Sequence, residues 1–341
     1  MENYYIRPLP LLLLISLLFS GMAYCADAPR FMPYQEGFHR IFPDNPDVKV
    51  VVDSERDGKP LSMAEGPSWL GGVLFFSDQP GGLHALKPDG TWSLINHGGW
   101  TCGTAALKNG NLAVCYVEST TVVEMNPDGV ILRTLIDRVN GEKLFGHPND
   151  IVADSKGGLY VTITPFFWKD TEKNTAVIYR KPSGETIMVS EKNEYGFPNG
   201  CCLSPDGRIF YLNDGWTFTV WAFDVLADGR LGNKRSFAVT KAPPDADEKE
   251  KNAKSSSADG MDCDRAGNLY TTSRFGLHVF SKDGAALGLV RFPAQPSNCV
   301  FGGADLKTLF VTCGVRVYAI RTLIGGAGPS PEMEETSAAG K

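Results

Sequence analysis

Several absences narrow this 341-residue sequence before any motif is found. Its 8 cysteines include no Cys-x-x-Cys, so neither a zinc ribbon nor a dithiol redox motif is present. No Gly-x-Ser-x-Gly occurs, which removes the serine elbow of the α/β-hydrolases. No Gly-rich phosphate loop opens a helix. Positive charge is in deficit, with 33 Lys and Arg against 39 Asp and Glu, and it is scattered rather than gathered in a stripe. Nothing there would displace counterions from a phosphate backbone, so nucleic acid is not an expected partner. Past the first 28 residues no long apolar run and no sustained helical period remain.

Those first 28 residues have the form of an export signal. Arg7 is the positive flank and Leu11 to Phe19 the apolar stretch, and small residues stand at Ala23-Tyr24-Cys25 and Ala26-Asp27-Ala28. Tyr24 is too large to precede a lipidated Cys25. The expectation is a signal peptide over 1–28 and a secreted or periplasmic protein that no longer engages a membrane once it is removed. A single domain over 29–324 and a flexible Gly-rich tail over 325–341 are expected to follow. Seven cysteines lie beyond Cys25, an odd number that leaves one thiol unpaired. Cys102 and Cys115 flank a turn at Asn109-Gly110, and Cys299 and Cys313 flank one near Asp305, so each pair is open to a bridge or to simple packing. Cys201, Cys202 and Cys263 read as packing residues.

What the chain does have is a repeat. Short β-branched and aromatic runs come in six pairs, from Val73–Phe76 with Leu83–Leu86 to Leu309–Thr312 with Val315–Ile320. Asp89-Gly90, Asp128-Gly129, Ser183-Gly184, Asp228-Gly229 and Asp283-Gly284 close five of the pairs, as tight hairpins require. A further strand precedes or follows most pairs. Four strands per unit in six units predict an all-β, six-bladed β-propeller. The sixth unit is one strand short and Val48–Val52 has no unit of its own, so that N-terminal strand is expected to close the ring and remove two open edges. The charged, Ser-rich stretch 243–258 reads as a long loop between blades.

Asn149, Asn199 and Asp259 each stand eight residues before a turn glycine, Gly157, Gly207 and Gly267, and Glu65 stands seven before Gly72. Equal offsets in equivalent strands put the four side chains at one height near a mouth of the central channel. Asn and Asp also cap turns, but capping gives no reason for a common height. Two carboxylates and two amides form an oxygen-only set that suits a hard divalent cation, calcium above all, and the lack of His or Cys there argues against zinc. His147 is the one histidine beside the set. Trp100 and Phe166-Phe167-Trp168 fall in connecting segments, where they serve as packing or as a pocket wall.

Glu65-Gly66-Pro67-Ser68-Trp69, Pro148-Asn149-Asp150, Asn199-Gly200, Asp259-Gly260-Met261 and Ser297-Asn298-Cys299-Val300-Phe301-Gly302-Gly303 together resemble the ordered motifs of the regucalcin (senescence marker protein)/gluconolactonase family. The resemblance implies a divalent metal held by Glu65, Asn199 and Asp259, substrate contact through Asn149, and Asp259 as the group that activates water in lactone hydrolysis. Where several members of the family carry Arg two residues before the substrate Asn, this chain has His147, placed to meet substrate hydroxyls instead. Two functions follow: metal-dependent hydrolysis of a sugar-type lactone, or a non-catalytic exported propeller, stabilised by calcium, that binds a glycan or a protein.

Overall fold

In five of the six repeats the second and third strands are almost wholly buried, which explains why their apolar runs are continuous rather than alternating: both faces of these sheets pack against a neighbour. A computed structural model, describing residues 28–165 and 174–328, arranges the sheets as six antiparallel blades in a ring. The innermost strands are Ala64–Leu70, Thr101–Ala106, His147–Ala153, Pro198–Leu203, Met261–Cys263 and Pro296–Gly302. Six hydrophobic clusters lie between adjacent blades, as where Tyr160 and Phe210 pack at 4.9 Å between blades 3 and 4.

The five hairpin glycines, Gly90, Gly129, Gly184, Gly229 and Gly284, all adopt φ between 82° and 96°, a region costly for residues with a Cβ. The ring closes as expected: Val48–Asp53 pairs antiparallel with Arg316–Arg321 as the outer strand of blade 6. A second N-terminal strand, Arg30–Pro33, adds a fifth strand to blade 5 by pairing with Ala286–Arg291. It is too short and too mixed in polarity to show in the sequence. Arg291, nearly fully buried, binds Glu250 and Asp245 of the long loop, and Arg30 binds the same Asp245. This ion network ties the loop, with its helical turn Glu248–Lys251, to the N-terminal strand.

The chain stays engaged past the expected boundary at 324. Gly326 bridges to Asp264, and the Gly325 carbonyl accepts from the Arg265 amide. The expected signal segment through residue 27, the tail from 329 and Phe166-Phe167-Trp168 lie outside the described residues. The seven cysteines from Cys102 to Cys313 are all buried thiols. Register explains the second pair: Cys299 faces Val311 while Cys313 faces Pro296, so their Cβ atoms are staggered rather than opposed. The Cys102 sulfur instead accepts from Gln79 Nε2 at 2.9 Å.

Candidate functional site

In a four-stranded antiparallel blade, the first strand starts at the same end of the channel where the second strand finishes and the fourth leaves. That end is the mouth. At it, five of the six inner strands break register, between Glu65 and Ser68, Thr101 and Thr104, Pro148 and Ile151, Pro198 and Cys201, and Pro296 and Asn298. These bulges release the backbone from the ladder and turn side chains toward the axis. Gly66, Gly103, Gly200 and Gly260 occupy the tightest points, where a Cβ on Gly66 would run into the Cys102 carbonyl and one on Gly200 into the Asp259 carbonyl.

Glu65, nearly fully buried, accepts a hydrogen bond at Oε1 from Asn298 Nδ2 at 2.8 Å, while its Oε2 has no partner among the described residues. Asn199 is also buried, its amide favours the charged form of the neighbouring Asp259 carboxylate, and its Oδ1 is likewise unpartnered. Asp259 keeps part of its surface open at the mouth, and the Asn213 amide holds its backbone carbonyl. Asn149 sits at the equivalent position in blade 3, partly exposed. His147 is buried at the head of the same strand, opposite Thr164, whose Oγ1 lies 2.7 Å from His147 Nε2.

Withdrawal from water drives the Glu65 carboxyl above its ordinary range. The same cause, with the neighbouring charges of Glu65 and Asp150, drives Asp259 further up. Asp150, the next residue after Asn149, is pushed up to about 7 by burial, although the Cys201 amide donates to its Oδ2 at 2.9 Å. Two carboxylates that repel each other and two buried oxygens without hydrogen donors are what a cation would reconcile. The donor set is all oxygen and includes two carboxylates, so it fits a hard divalent ion with its remaining positions filled by water or substrate. Among the described residues no group of three or more His, Cys, Asp and Glu side chains is arranged to hold a metal, which leaves this mixed carboxylate–amide set as the candidate.

Two aspartates hold the ligand-bearing strands from behind. Asp78 ends the second strand of blade 1, and its Oδ1 accepts from the Ser62 and Met63 amides at 2.7 and 3.0 Å, just ahead of Glu65. Asp214 ends the second strand of blade 4 and accepts from the Gly196 and Phe197 amides at 2.9 and 2.8 Å, just ahead of Asn199. Neither residue stands out in the sequence, because the partners are backbone amides 15 to 18 residues earlier.

Sequence reasoning also missed Asn298. Like Cys102 before Gly110, it stands eight residues before a positive-φ residue, but that residue is Leu306 with φ 56°, so no glycine marks the turn.

Residues 63–314 match the family described as the SMP-30/Gluconolactonase/LRE-like region. The chain belongs to this family. It is 27% identical over 292 residues to a gluconolactonase of Zymomonas mobilis, covering 77% of this chain and 79% of that protein. A pig regucalcin is 34% identical over 120 residues, only 36% of its length. Among solved structures, a gluconolactonase of Xanthomonas campestris superposes with a TM-score of 0.73 at 25% identity, covering 89% of this chain and 98% of that one. A calcium-binding regucalcin of Agrobacterium tumefaciens shares the fold with a TM-score of 0.64 at 17% identity, over 82% and 95% of the two chains.

Proposed function

We propose that this family member is a lactonase that opens a sugar-type lactone with the help of one divalent cation, calcium by the chemistry of its donors. The observation that carries the proposal is the pair of buried, unpartnered oxygens, Glu65 Oε2 and Asn199 Oδ1, grouped with the Asp259 carboxylate. Glu65, Asn199 and Asp259 would hold the ion, with Asn149 beside them. A bound cation would polarise the lactone carbonyl and stabilise the charge that grows on its oxygen. Asp259, partly open at the mouth, takes a proton from the attacking water at its carboxylate and returns it to the ring oxygen as that oxygen leaves. Asn149 orients a substrate hydroxyl from the mouth of blade 3. His147, bonded to Thr164, supports the strand that carries Asn149.

Export belongs to the same proposal, resting on Arg7 and the apolar run Leu11 to Phe19. Among the described residues, no helix is long and apolar enough to cross a membrane.

The test is proton release from gluconolactone, corrected for its spontaneous opening, with calcium and with chelator. Calcium-loaded protein should exceed background, and Asp259→Asn should return to it. Background rates for the loaded wild type across several lactones would leave the non-catalytic binding propeller in place.

A further inference from the structure

The mouth turns of blades 4 and 5 carry side chains that the proposed chemistry does not use. Of the aromatic side chains in the described residues, only Tyr34 and Trp216 are exposed, and Trp216 is 48% exposed on the turn after Asp214. One face of its indole lies on Phe197, with ring centroids 6.1 Å apart and planes 20° from parallel. Phe197 stands two residues before Asn199. The Asp214 carboxylate that anchors the Phe197 amide also accepts from the Trp216 amide at 3.1 Å, so one buried group fixes both the ring and the ligand strand.

The other side of this turn leads to Asp259. The Ser257 amide donates to the Gly215 carbonyl at 3.1 Å and the Ser256 amide to the Thr217 carbonyl at 3.0 Å. Beyond them, the Arg274 amide donates to the Ser256 carbonyl at 3.0 Å. Residues 256–258 are thus held between the turns of Trp216 and Arg274, and Ser257 is kept at φ 47°, a strained value for a residue with a Cβ. Arg274 is exposed, and among the described residues its guanidinium has no carboxylate partner. Arg30, Arg133, Arg235, Arg291, Arg316 and Arg321 are ion-paired, while Arg40, Arg180 and Arg265 share with Arg274 the lack of a carboxylate partner among the described residues.

We propose that Trp216 and Arg274 form the recognition surface for a sugar acid, so that the substrate is a lactone that keeps a free carboxylate, a monolactone of the aldaric class. The C–H face of the sugar ring lies on the open face of Trp216, and the carboxylate pairs with the planar guanidinium of Arg274. The same turn in blade 1, residues 79–81, follows an equivalent Asp78 anchor but presents no aromatic or cationic side chain. The anchor is therefore shared with blade 1, whereas the aromatic and cationic pair is not.

This inference rests on the lactonase reading for the word lactone but not for binding, and its test separates the two. Glucuronate, which has no ester to hydrolyse, and glucose are titrated calorimetrically into the calcium-supplemented full chain. The wild type should bind glucuronate at least tenfold more tightly than glucose, and Arg274→Gln should remove the difference. Trp216→Ala should weaken both ligands about tenfold, and Trp216→Phe should restore most of the loss. Both residues are on exposed turns, and unchanged melting temperatures confirm that the fold is intact. Equal binding of the two sugars by the wild type, absence of binding, or insensitivity to Arg274→Gln overturns the proposal. In a parallel assay, gluconolactone turnover without any preference for glucarolactone overturns it while leaving the lactonase reading standing. Selective glucuronate binding without turnover supports the recognition pair and rejects the lactonase.

Discussion

The side-chain amide of Asn298 meets the carboxylate of Glu65 at 2.8 Å across 233 residues of chain, joining the last blade to the first exactly where the ring closes. The bond occupies Glu65 Oε1 and leaves Oε2 without a partner among the described residues. A small polar group that orients a ligand in this way raises the affinity of the site without touching the ion.

Asn298→Ala should lower calcium affinity by ~10- to 100-fold, the range typical of lost supports behind a ligand. Isothermal calorimetry on the chelator-stripped protein reads this directly. Affinity within twofold of wild type would mean that Glu65 is oriented by its own strand.

Glu65→Gln and Asp259→Asn separate the ion from the fold. Calcium should raise the melting temperature of the wild type, because binding only the folded state stabilises it. Both variants should lose that rise. In chelator, each should melt no lower than wild type, since each removes one of two charges whose burial and mutual repulsion push Asp259 upward. A calcium-dependent rise in both variants would place the ion elsewhere.

Asp214→Ala should cost about 2–4 kcal/mol in urea unfolding, because it strands a buried backbone amide at Phe197 and a part-buried one at Gly196. Calcium affinity should fall with it, as the approach to Asn199 loosens. Asp214→Asn keeps an acceptor oxygen and should recover part of both losses. An Ala variant as stable as wild type would show that water replaces the carboxylate.

Acid should weaken the fold through His278. Burial holds its imidazole down at about 3, with Nε2 2.9 Å from Ser273 Oγ and the ring stacked on Phe280. The unfolded chain takes up that proton near the ordinary histidine value. The stabilisation is therefore complete above about pH 6.5 and is lost as pH falls toward the folded value. Between pH 7 and 5 this amounts to about 2 kcal/mol. Urea unfolding at the two pH values should show a stability loss smaller by that amount in His278→Gln than in wild type.

The sequence alone was enough for the all-β class, the six repeats, the hairpin turns and the strand 48–53 that closes the ring, because these depend on residue types at short, regular spacing. Glycines at 90, 129, 184, 229 and 284 mark positive φ whatever surrounds them. The even offset of Asn149, Asn199 and Asp259 from their turn glycines carried the candidate site for the same reason, since a strand converts sequence spacing into height. Tertiary structure decided which groups stand behind that site. Asn298 reaches Glu65 only because the last blade docks on the first, and Asp78 and Asp214 act on backbone amides that have no side-chain signature. The strand Arg30–Pro33 is ordered by an edge that exists only once blade 5 has formed. The unpartnered oxygens of Glu65 and Asn199 arise in the same way: hydrogen bonding in the assembled ring, not residue type, determines which oxygens are left over.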